Sequence, residues 1–71
     1  MYIVIELQTD ATGHTSHIVT DHDTKASAES KYHSILAAAA QSNVHIHSAT
    51  ILTPKGYAQK NESYEHAVEE E

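Results

Sequence analysis

Residues 2–9, YIVIELQT, open as an unbroken apolar run rich in β-branched side chains and then turn polar. Side chains on a strand alternate between two faces, so a strand here puts Ile3, Ile5 and Leu7 on one side and Tyr2, Val4 and Glu6 on the other. DATGHT follows, with Asp10 and Gly13 suited to a bend. Residues 15–21, TSHIVTD, predict a second strand, with Ile18 pointing one way and His17, Val19 and Asp21 the other. Two strands joined by so short a turn predict a hairpin. From Lys25 to Ser42 there is neither Pro nor Gly, and Ala28, Tyr32, Ile35, Leu36 and Ala39 fall on one face of a helical wheel. Asp23 or Thr24 is placed to cap the first turn, Glu29 lies in an early turn, and Asn43 suits a left-handed stop. A helix over about 24–42 is predicted. Residues 44–53, VHIHSATILT, predict a third strand, with Val44, Ile46 and Leu52 opposed to His45, His47, Ala49 and Ile51. TPKGY reads as a tight turn, and residues 57–64 return as a polar strand of the composition found at sheet edges.

The element order is therefore ββαββ. An antiparallel sheet covered on one face by a single helix gives a two-layer α+β fold. The more apolar sheet side, carrying Ile3, Ile5, Leu7, Ile18, Val44 and Ile46, is expected beneath the helix. Tyr2, Val4, Glu6, His17, Val19, Asp21, His45, His47 and Ile51 are then left on the far side. This assignment depends on register, because a slip of one residue exchanges the two faces. Residues 1–66 form one small domain, and 67–71 an acidic tail.

Composition adds a reason to expect self-association. Seventy-one residues contain no Cys, Trp or Phe, and a chain of this size buries only about 60% of its unfolded surface. Disulfides being excluded, a metal or a partner subunit is the usual support for so small a core. AESKYHSILAAAA, residues 28–40, leaves Ser30, Ser34, Ala37 and Ala38 as a smooth, nearly uncharged strip outside the apolar stripe. Ser34, Ala37 and Ala38, with Tyr32, are the expected contact with a second copy, although Tyr32 also suits the core. Four basic residues against ten acidic give a net charge of −6, which disfavours nucleic acid polymers and anionic membranes as partners. No segment has the form of a signal peptide or reaches the roughly 20 apolar residues of a membrane span. A cytoplasmic location is expected.

Candidate chemistry centres on seven histidines. His45 and His47 form an HxH pair whose rings would lie about 7 Å apart on one side of a strand, near enough to share a metal if His17 and Glu6 join them. That spacing is also common without metal, and no cofactor is expected. Glycine-rich phosphate loops, a Cys nucleophile and a nucleophile elbow are all absent from the sequence, so the protein is not expected to be an enzyme. Tyr2 offers a ring for stacking, while His17, Lys31, His33, His45 and His47 offer donors to phosphate or carbonyl oxygens. These six residues are the candidate ligand-binding set.

ESKYHSILAAAA, MYIVIELQT and SYEH resemble segments of a family of very small proteins from Firmicutes bacteria and their phages and prophages. The resemblance covers most of residues 1–66. It implies a phage or mobile-element accessory protein made in a bacterial host cytoplasm and carries no activity, cofactor or site. Two functions suit that setting. One is a non-enzymatic homo-oligomer that sequesters a nucleotide-derived immune signal. The other is a protein–protein interaction module that inhibits a host factor or assists virion assembly.

Overall fold

The computed structural model describes residues 1–42 and 44–66. Four strands, β1 (Tyr2–Thr9), β2 (Thr15–His22), β3 (Ile46–Leu52) and β4 (Ala58–Glu65), form one antiparallel sheet in the order β2-β1-β3-β4. The single helix, α1 (Lys25–Ala40), joins the two hairpins and makes the ββαββ order expected from the pattern. Asn43 as helix stop and the acidic tail over 67–71 lie outside the described residues.

Local chemistry places the turns where the sequence puts them. Asp10 Oδ1 accepts from the backbone N–H of Thr12 and of His14, both at 3.0 Å, and Gly13 takes a positive φ of 89°. Gly56, with φ 88°, does the same between β3 and β4. An L side chain rarely adopts that conformation. Thr24 is the helix cap: its Oγ1 accepts from Ser27 N–H at 3.1 Å.

The covered face differs from the expectation. Glu6 pairs with Ile18 and Ile5 with Val19, so Ile3, Ile5 and Leu7 share a side with His17, Val19 and Asp21 rather than with Ile18. Across β3, that same side carries Ile46, Ser48, Thr50 and Leu52. The helix lies on the opposite side. Val4, Ala28, Tyr32, Ile35, Ala49 and Ile51 make the buried cluster, with Tyr2 and Leu36 packed against it. The physical reason lies in the helix. Its core stripe contains two fully buried alanines, Ala28 and Ala39, and Ala28 shares one packed cluster with Ala49 of the sheet, small residues that let the two layers come close. Tyr32 is 5% exposed and belongs to this core rather than to the exposed helix strip expected as a contact. The stripe of large aliphatics, Ile3, Ile5 and Leu7, stays outside. Leu7 and Val19 are exposed, while Ile3, Ile5, Ile46 and Leu52 are half-buried.

Candidate functional site

The six candidate ligand residues do not converge. Tyr2 is opposite His22 at one end of the sheet, whereas His47 is opposite Gln8 near the other. His17, opposite Leu7, is on the uncovered face. His33 is exposed on α1, edge-on to Tyr32 with ring centroids 5.4 Å apart. Lys31 lies on the half-buried flank of the helix. His45 turns to the end of β4, where its ring Nδ1 donates to the carbonyl of His66 at 2.8 Å. The expected histidine-and-carboxylate set therefore separates, and the described residues contain no group of three or more metal-ligating side chains.

One part of that set does come together beneath the helix. His47 Nε2–H donates to Glu6 Oε2 at 2.6 Å, and Gln8 Nε2 donates to the same oxygen at 3.0 Å. Glu6 and His47 sit diagonally on adjacent strands, which is why a sheet can pair them although 41 positions separate them. His47 is only 4% exposed. Burial is the largest influence on Glu6 and pushes its carboxyl up; the hydrogen bonds from His47 and Gln8, with the charges of His47 and Lys31, together outweigh it and hold the carboxyl below 4.5. The other ring nitrogen, His47 Nδ1, is buried with no hydrogen-bond partner among the described residues. A dyad of this kind can exchange a proton. Joining side chains from adjacent strands, it fixes the register of β1 against β3.

His66 completes the same end of the domain, and nothing in the sequence pattern singled it out. Its Nε2–H donates to the carbonyl of Ala39 at 2.8 Å, and its ring stacks on Tyr64 with centroids 6.4 Å apart. The helix C-terminus is thus tied to the end of β4, in keeping with the preference of imidazole donors for terminal carbonyls. His22 does comparable work at the helix start, with Thr20 Oγ1 and Ser27 Oγ at its two ring nitrogens, each 2.9 Å away.

Among the described residues, two surfaces suit binding. A shallow groove of about 490 Å³ runs between α1 and β4, lined by Tyr32, His33, Leu36, Lys60 and neighbouring residues of β4. Lys60 is engaged there with Glu29 at 3.1 Å. The second surface is the uncovered sheet face, where Ile3, Ile5, Leu7, Val19, Ile46 and Leu52 are joined by the short polar Thr9, Ser48 and Thr50. The helix strip of Ser34, Ala37 and Ala38 is exposed as expected, but it offers no large apolar group. No helix among the described residues is long and apolar enough to cross a membrane. No family model, curated protein or solved structure matches the chain.

Proposed function

We propose that the protein is a non-enzymatic protein-interaction module whose contact is the uncovered face of its sheet. The observation that supports this reading is the inversion of the two faces. The large aliphatics of β1 point away from the helix, and Asp21 and Glu65 are the only acids whose strand positions lie on that side. In a chain of net charge −6, a nearly uncharged aliphatic face is what a partner protein with a similar face can cover. The phage or mobile-element setting implied by the resemblance fits such a module, with a host factor or a virion component as the partner.

Immobilised protein exposed to host-cell extract tests this. The reading expects a partner that the wild type retains, that Ile5→Lys loses, and that the helix-strip variant Ser34→Glu keeps. Capture that Ile5→Lys leaves intact, or no capture at all, refutes it.

The groove beside Tyr32, His33 and Lys60 supports a second reading, sequestration of a nucleotide-derived signal. It places an aromatic ring edge and a cation together, although Glu29 already occupies the cation and Glu62 also lines the groove. A thermal shift of several degrees with cyclic nucleotides or cyclic ADP-ribose isomers, lost in Lys60→Glu, favours that reading over the first.

A further inference from the structure

The two edges of the sheet are protected unequally. β4 carries Lys60, Glu62 and Glu65 and is offset from β3 by a register irregularity at Ile51/Leu52. Charges and irregularities of this kind deter pairing with another chain. β2 has neither. It pairs with β1 over eight residues without a break and contains no Lys, Pro or Gly. Its side chains are also bare on both sides of the sheet: Ile18, on the helix side, is 52% exposed and Val19, on the open side, 51%. A partner stacked on either face covers one of these two residues. A strand laid alongside β2 comes beside both.

The backbone is set for such a strand. Asp10 N–H donates to His14 C=O at 3.0 Å, continuing the register in which Gln8 faces Ser16 and Glu6 faces Ile18. Bonded and non-bonded pairs alternate along an antiparallel ladder. The even-numbered residues of β2 therefore turn their N–H and C=O groups toward β1, and Thr15, His17, Val19 and Asp21 turn theirs outward.

We propose that a second copy of this chain pairs with that edge, β2 antiparallel to β2 about a two-fold axis at Val19, to give one continuous eight-stranded sheet. In this register His17 of each copy faces Asp21 of the partner subunit, so imidazole N–H groups meet carboxylates twice across the axis. Val19 meets its own symmetry mate, and Ile18 sits beside Thr20 of the partner subunit. The outward groups of His17, Val19 and Asp21 supply about six backbone hydrogen bonds. The contact is isologous and closes at two copies. It joins two uncovered faces edge to edge into one wider face and leaves that face open, so it stands whether or not the face binds a protein partner.

Sedimentation equilibrium at micromolar concentrations tests the proposal, with circular dichroism confirming the fold of each variant. The wild type is expected to be a dimer. His17→Asp sets acids against Asp21 and is expected to weaken the dimer at least about tenfold. The exchanged variant, His17→Asp with Asp21→His, restores the pairs and is expected to return within about threefold of wild type. Leu52→Lys, on the same face but on β3, two strands in from the edge, is expected to leave the dimer unchanged. A wild type that remains monomeric to about 100 μM overturns the proposal. So does a dimer indifferent to His17→Asp, or one that the exchange does not rescue.

Discussion

Removing one member of the Glu6–His47 pair should cost far more than removing both. Glu6→Leu leaves an imidazole that is 4% exposed, with Nε2–H unpartnered and Nδ1 already without a hydrogen-bond partner among the described residues. Losing a charge-assisted bond costs about 1.5–3 kcal/mol, and stranding a buried polar group adds about 1–3 kcal/mol before the inserted leucine recovers part of it. A net loss of about 2–4 kcal/mol follows. His47→Leu should cost less, about 1–3 kcal/mol, because the Glu6 carboxylate keeps Gln8 at 3.0 Å and some solvent contact. The double variant replaces both partners with apolar groups and should come out close to wild type, so the coupling equals the two single losses together, about 3–7 kcal/mol. Urea unfolding followed by far-UV circular dichroism measures all four proteins, at one fixed protein concentration because association contributes to apparent stability. In a domain of this length each kcal/mol moves Tm by about 4–8 °C, so Glu6→Leu is readily resolved. Single losses below about 0.5 kcal/mol, within the range of ordinary surface substitutions, or a double variant equal to the sum of the singles, would refute the assignment of the pair as a buried register lock.

Three other outcomes follow from the same geometry. Because the folded Glu6 carboxyl is held below 4.5, its contribution is present above that pH and is lost as pH falls through the folded value. Acid titration of stability should therefore be shallower in Glu6→Gln, with the remaining slope coming from Asp10, held down by Thr12 and His14, and Glu29, held down by Lys60. Ala49→Leu forces bulk into the buried cluster beneath the helix and should cost about 1–3 kcal/mol by urea unfolding, while the adjacent Ser48→Leu on the open face should change stability by no more than about 0.5 kcal/mol. Thr24→Ala removes the acceptor of Ser27 N–H and should lower stability by about 1 kcal/mol, seen as a fall in Tm.

The elements, their order and both turns were legible because each rests on local chemistry. Thr24 caps, Gly13 and Gly56 bend, and the helix stripe of Ala28, Tyr32, Ile35 and Ala39 is the buried one. The choice of sheet face was not legible. Hydrophobicity favoured Ile3, Ile5 and Leu7 as core, whereas the thinness of the helix at Ala28 suits the side with Ala49. Steric fit between layers decided it, and a single strand's alternation carries no record of the opposing layer. The error in β2 had a related cause: pairing Glu6 with Ile18 rather than Leu7 with Ile18 is one residue of register. The candidate site dispersed for the same reason. Of the histidine-and-carboxylate set, Glu6 and His47 met because both lie on the covered side, and His17 was left on the other. His66 was missed because its role is to reach the carbonyl of Ala39 across 27 positions, which no spacing rule anticipates.

The account turns on which side of the sheet the helix covers. Methyl NMR with a soluble gadolinium chelate reads this directly, since relaxation falls steeply with distance from solvent. The methyls of Leu7 and Val19 should relax strongly and those of Ile5 and Leu52 measurably, while those of Val4, Ile35 and Ile51 stay protected. Protection of Ile5 and Leu7 together with strong relaxation of Val4 and Ile51 would contradict the account.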